Sequence, residues 1–404
     1  MAGDSNSLQS LVVAGIPAGA TLADRTHSFT ATTGSNSVNA GWNLLVLTMM
    51  AASAVTFTLA ATAAQQNPQG NTSSASANEA VTVTDPPSTY PDGSPGASAG
   101  TPQLPNLFSG YAVRPPWKVA GVDYHVGVPS GLALKDLSIP GNLPAGATLS
   151  GHTIIVSANN VTLNGFDFSG GGGYGIYINP GVSGTQITNN LFVDSSSSAP
   201  IPANIGSGAS YTYIAYNTIN GGAANGNGSF GELIYNLGKG LTVEYNWIYD
   251  SPSRFVSDSG GGSLVYKYNL LENGGWVATH LNFLEFGGGT FSSPQVDFNT
   301  VVQHETISSG EGFQMYCNSR GSISNGDVGN NTMISSRAVI QSGATGPAIS
   351  YWIHTGSNSQ YPSPATGTVH DNYIDSSSAY GPFYGGLRGF TYLNNVNMLT
   401  GAHL

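Results

Sequence analysis

The chain has 404 residues, enough for two or three domains and an ample core. Only 8% of them are charged while Gly reaches 55 and Tyr 20, which suits an all-β, turn-rich extracellular protein and argues against a helical cytosolic enzyme. A net charge of −11 speaks against nucleic acid or an anionic membrane as main partner, although a local basic or metal-filled site still admits an acidic glycan.

At the start, Met1 to Asn6 shows no basic region leading into an apolar stretch, so the expectation is either a fragment or cargo for a C-terminal or non-cleaved export route. Residues 1–85 read as a first module of short strands: Leu11 to Leu22, His27 to Ala31, Ala54 to Leu59 and Ala80 to Thr84. Leu44 to Ala64 holds 21 residues without a charge, the length of a membrane span. Within it, however, Val55-Thr-Phe-Thr-Leu59 alternates apolar and hydroxyl residues, so the stretch reads as half-buried strands and no span is expected. The Ile16-Pro-Ala-Gly-Ala-Thr-Leu22 turn and the Ala80-Val-Thr-Val-Thr84 strand resemble the cadherin-like or immunoglobulin-like repeats of large bacterial adhesins. That resemblance implies a partial β-sandwich serving as spacer or presentation module. An incomplete sandwich exposes a strand edge and invites self-association.

Residues 86–110 form a Pro/Gly/Ser-rich linker, kept extended by Pro and mobile by Gly and Ser. From 111 to 404 the chain is expected to be one solenoid, with the aromatic stretch Tyr111 to Trp117 as the cap over its N-terminal end. The evidence is a recurring phrase in which an apolar residue stands three before an asparagine and a hydrophobe two after it. It reads Ile214-Ala-Tyr-Asn217-Thr-Ile219, Val243-Glu-Tyr-Asn246-Trp-Ile248 and Tyr266-Lys-Tyr-Asn269-Leu-Leu271, and recurs at Asn299, Asn331 and Asn372. The intervals are 29, 23, 30, 32 and 41 residues, with looser copies at Val161 to Phe168, at Ile187 to Val193 and around Asn395. Units of this length bury their apolar side only by stacking, and the asparagines form an internal ladder, with the bend placed at Asn itself. The pattern resembles the right-handed parallel β-helices of the pectate-lyase-like superfamily. Cys317 is the single cysteine, so stacking must supply the stability.

The position two before each ladder asparagine faces outward and gives a column: Ala215, Glu244, Lys267, Asp297, Gly329, His370. A second strand family lies between the asparagines and adds Glu232, Arg254, Asp258, His280 and Glu285, with His304, Glu305 and Glu311 in a following loop. Nine of the 21 carboxylates fall between Glu232 and Glu311, which points to the middle coils as the site. In the resembling superfamily the outward face and its bordering loops hold a saccharide groove.

Two chemistries fit. Glu244 and Asp297, two coils and about 9–10 Å apart, approach the separation of an inverting glycosidase pair. Alternatively Lys267 clamps a uronate carboxylate while His280, His304 or a tyrosine abstracts the neighbouring proton in a β-elimination. Glu244, Lys267, Asp297, His280, Glu285 and His304 are therefore the candidate catalytic residues, with Arg254, Trp247, Tyr266 and Tyr268 expected to contact substrate. The residues assign no cofactor with certainty, though oxygen ligands such as Asp258 could hold Ca²⁺. Opposite charges stacked on adjacent strands also stabilise a solvated sheet with no substrate at all. His370 shows no partner in the sequence, and His354 beside Trp352 reads as ordinary packing or else as a sugar-stacking site. The expected function is extracellular recognition and cleavage of a polysaccharide, or else a non-catalytic surface adhesin or matrix protein.

Overall fold

The computed structural model describes residues 7–16, 21–23, 28–32, 35, 37–39, 46–48, 55–69, 71–83, 102–139, 141–194, 199–222, 232–274, 281–303, 310–335, 349–356, 364–375, 378–384 and 389–404. His280, His304, Glu305 and the proposed linker up to residue 101 lie outside them. The described chain is all-β apart from one 3-10 turn at Gly170–Gly172, and no helix is long and apolar enough to cross a membrane. It divides into two units, Met1–Ser94 and Pro95–Leu404.

In the first unit, Ser37–Asn39, Ser7–Ala14, Val55–Gln66 and Thr72–Val83 make one antiparallel sheet in that order. Ser28–Thr30, Thr21–Ala23 and Val46–Thr48 make another. The uncharged stretch from Leu44 thus contains two strands.

The second unit is a solenoid of three sheets. Among the described residues each contains ten strands, and all the pairings from one turn to the next are parallel. Sheet 1 holds the strands that end two residues before the ladder asparagine, including Lys239–Glu244, Leu264–Lys267, Gln295–Asp297, Gly321–Gly329 and Ala365–His370. Sheet 2 takes the strands just after it, such as Trp247–Ser251 and Leu270–Gly274, and sheet 3 holds Glu232–Asn236, Arg254–Asp258, Leu281–Phe286, Gly310–Cys317 and Tyr351–Thr355. The chain visits sheets 3, 1 and 2 in turn. Like residues stack: Phe192, Ile219, Ile248, Leu271, Val301, Met333 and Ile374 pair in register along sheet 2, all 1% exposed or less. Burying each such side chain is worth about 1.5–3 kcal/mol.

Eight asparagines form the ladder: 190, 217, 246, 269, 299, 331, 372 and 395. Each backbone N–H donates to the side-chain oxygen of the next at 2.9–3.1 Å. The bend, however, falls one residue earlier than expected. Tyr216, Tyr245, Tyr268 and Phe298 have φ of 55–58°, a left-handed conformation costly for a bulky side chain. Stacking offsets that cost: consecutive rings lie 5.1, 4.8 and 5.2 Å apart and nearly parallel. The Asn is left free to face inward.

The stretch Tyr111 to Trp117, expected as the N-terminal cap, lies instead against the last coils, and from there the chain runs outside the stack back towards the first. The Ala112 N–H donates to Met398 O at 3.0 Å, and Trp117 sets its edge on Tyr373 and Phe298. Further along, Gly127 N–H donates to Tyr245 O at 2.9 Å, and Lys135–Asp136 joins sheet 2 beside Phe166. Val119, Ala120 and Val126 on this strap are at most 1% exposed. Close approach explains its glycines. At Gly121 and Gly127, both with positive φ, a Cβ would come within 2.6 Å of Leu270 and of Thr218. A further strand, Gly289–Ser292, pairs with Gly321–Ser324.

Candidate functional site

The register aligns the outward column of sheet 1. Ala215 pairs with Glu244, Glu244 with Lys267, Lys267 with Asp297, Asp297 with Gly329 and Gly329 with His370. The column is less open than alternation implies, since Asp297 is only 5% exposed and Glu244 is half-buried. Lys267 Nζ lies 3.0 Å from Asp297 Oδ2, and the Gly329 N–H donates to Oδ1 at 3.0 Å. Burial raises the Asp297 carboxyl to about 6 against the opposing pull of Lys267, and burial likewise raises Glu244. The Tyr268 phenol, at the corner, is pushed up to about 12 by burial and then by Glu244 and Asp297.

His370 has partners that its sequence position hides. Its Nε2 lies 2.8 Å from Asp327 Oδ1 and its Nδ1 2.8 Å from Asp371 Oδ2. The bond to Asp327 raises its pKa to about 9 despite burial, so it stands as an imidazolium at neutral pH. A Cβ at Gly329 would collide with its ring, so glycine is what lets the ring lie there. Asp297, Asp327 and His370 offer atoms within 4.8 Å of one another, a spacing a cation could use. Lys267 and the imidazolium already supply the positive charge, so the cluster works as an ion network. Because the folded pKa is raised, His370 stabilises fully below pH 6.5 and loses that contribution as pH rises through about 9. Melting curves at pH 6, 8 and 10 should therefore show the gap between wild type and His370→Gln closing with rising pH.

Other expected residues fall elsewhere. Tyr266 is 0% exposed, with its hydroxyl donating to Phe283 O, so it is core and cannot meet a substrate. Trp247 lies on sheet 2, donating to Glu272 Oε2 at 2.5 Å and stacking on Tyr249, away from the column. Asp258 is 0% exposed with Oδ1 occupied by the Asn236 amide and the Gly260 N–H, so it is a turn residue closed to Ca²⁺.

Arg254 and Glu285 meet on sheet 3. The Arg254 guanidinium is bonded to Glu285 through Nε and lies 3.5 Å from Glu232. On the following strand Glu311, at 6% exposure like Glu285, stands 2.8 Å from His354 Nδ1. Tyr316 packs on the His354 ring, with centroids 4.5 Å apart. Burial, then Glu311, Glu285 and Tyr384, push its phenol far above the ordinary value, so it keeps its proton and is not available as a base. Beyond it Tyr351 stacks on Tyr384 at 4.3 Å and tilts against Tyr380 at 5.5 Å.

The candidate set is therefore divided between two faces, with Glu244, Lys267, Asp297 and Tyr268 on sheet 1, and Arg254 and Glu285 on sheet 3. The sequence reading missed Glu311, Tyr316, His354 and Tyr384 as a group because it placed Glu311 in a loop. The strand begins at Gly310 and is buried along its whole length, so no alternation in the sequence marks it. Set against known proteins, the chain matches no family model, no curated sequence and no solved structure.

Proposed function

We propose that residues 111–404 form a right-handed parallel β-helix of the pectate-lyase-like kind that binds and hydrolyses a polysaccharide outside the cell. In this reading an adhesin-type sandwich precedes it in sequence, and the reaction takes place on the outer face of sheet 3. One observation carries the reading: two nearly buried carboxylates on adjacent coils, Glu285 and Glu311, each with its own basic partner and with the Tyr316 phenol beside them. Glycoside hydrolysis needs one group to protonate the leaving oxygen and one carboxylate to assist water or attack carbon. Glu285, held by a permanently charged guanidinium, suits the second role. Glu311, beside an imidazole that can relay a proton, suits the first. Elimination fits less well, because Tyr316 is a poor base and the Lys267 clamp belongs to a different sheet.

The test is incubation of the full chain with neutral and acidic polysaccharides, following reducing ends and unsaturated products separately. Reducing ends without unsaturation are expected, with Glu311→Gln and Glu285→Gln each slower by at least about 10²-fold. Cleavage unaffected by both substitutions, or no cleavage of any glycan, would sink the proposal.

A second reading rests on the first unit. Among the described residues Thr72–Val83 is an edge strand whose residues 72–78 are exposed, a template for pairing with another copy. A non-catalytic, self-associating surface protein would then appear in sedimentation as assemblies that a proline at Ser74 disperses.

A further inference from the structure

The chemistry of the sheet 3 face also bears on which glycan it takes. Of the ionisable residues on its described outer surface, Glu232, Glu285 and Glu311 are acids, while Arg254 is engaged by two of those acids and the His354 ring by the third. A uronate polymer laid here would bring its carboxylates against three others. The guanidinium that could receive them is already committed. Next to the acids stands a shelf of three phenol rings. Tyr351 is half-buried, while Tyr384 and Tyr380 are 49% and 73% exposed. The shelf is continuous with the acid pair, for the His354 ring meets Tyr384 edge-on at 4.7 Å and Tyr351 at 5.7 Å while contacting Glu311. Exposed tyrosines fixed by mutual stacking present a rigid apolar face with polar rims, the surface that the C–H face of a pyranose ring covers well. A charged ring would be a poorer occupant, since its solvation would be lost against these rings without a counter-charge.

Resting on the reading of this face as a glycan site, we propose that Tyr351, Tyr380 and Tyr384 form a specificity-determining subsite for an uncharged sugar unit, so that the substrate is a neutral polysaccharide and not a uronate polymer. The shelf works by ring stacking, with the phenol hydroxyls dispensable. Its position beside Glu311 and His354 places the stacked unit next to the bond that is cut.

The experiment is a binding titration of the full chain carrying Glu311→Gln, to prevent turnover, against a panel of neutral glucans, mannans and xylans and of polygalacturonate and alginate. Expected is saturable binding to at least one neutral polymer, with the uronates at least about tenfold weaker. Tyr384→Ala should then weaken neutral binding by about tenfold, with the melting temperature unchanged because the side chain is half exposed. Tyr384→Phe should bind like the parent. Preference for a uronate, or undiminished binding by Tyr384→Ala together with Tyr380→Ala, overturns the shelf while leaving the glycan site standing. If no polymer binds at all, the glycan reading of the face falls and the shelf with it.

Discussion

Replacing Asn269 with alanine is expected to lower the unfolding free energy by about 3–5 kcal/mol. Asn269 is 0% exposed at the middle of the stack. Its Oδ1 accepts from the Asn246 N–H at 3.0 Å and from the Asn246 side chain at 3.1 Å. Its Nδ2 donates to Val243 O at 2.9 Å and to Asn299 Oδ1 at 3.0 Å. Alanine removes all four bonds and leaves the Asn246 N–H buried with nothing to receive it. Each such stranded group costs about 1–3 kcal/mol, and no water can enter between stacked coils to replace it. Two comparisons make the test specific. Asn164 faces outward and is exposed, so Asn164→Ala should change stability by less than about 0.5 kcal/mol. Asn395 closes the ladder in the last coil, where local opening can admit water, so Asn395→Ala should cost less than the central substitution. Equilibrium urea unfolding measures all three, and equal losses at Asn269 and Asn164 would remove the ladder from the account of stability.

The ladder was legible because its signal is periodic. An apolar residue three before Asn and another two after it can be counted along the chain, and the coils from Ile214 to Ile374 follow that count. Periodicity also aligned Glu244, Lys267 and Asp297, because identical offsets from the same asparagine place residues in one register. Contacts made by breaks in the period were invisible. The strap from Ala112 to Val128 touches coils whose sequences lie from about 100 to nearly 300 residues away, and no local pattern records that. The aromatic column from Tyr216 to Phe298 was in plain view, but propensity assigns a positive φ to Asn, and only stacking between coils explains why the tyrosine takes it. His370 looked unpaired because Asp327 belongs to the coil before it, 43 residues earlier. The sheet 3 strands bury two or more successive residues, as with Leu233 and Ile234 or Phe255 and Val256. That doubling breaks strict alternation and hid which side chains, Glu285 and His354 among them, share the outer face.

The same doubling fixes Asp258 inward, and its chemistry yields a second large effect with an unusual sign. Asp258 Oδ1 accepts from Asn236 Nδ2 at 2.9 Å and from the Gly260 N–H at 3.0 Å, while Oδ2 is buried without a hydrogen-bond partner. Burial raises the carboxyl to about 7, outweighing the amide groups that favour its charge. An acid with a folded pKa above its unfolded value holds its proton longer in the native state. Its stabilising share is therefore full below about pH 4 and lost as pH rises through about 7. At pH 8 the native state carries an ionised carboxylate with one oxygen unsatisfied. Asp258→Asn keeps the Oδ1 acceptor and removes the charge, at the cost of an amide N–H₂ in place of Oδ2. The expected result is a variant more stable than wild type by about 1–3 kcal/mol at pH 8 and slightly less stable at pH 4, where the wild-type acid is already neutral. Thermal melts across that range should cross. A variant less stable at every pH would mean that the turn accommodates the charge, and the neutral-acid account of Asp258 would be wrong.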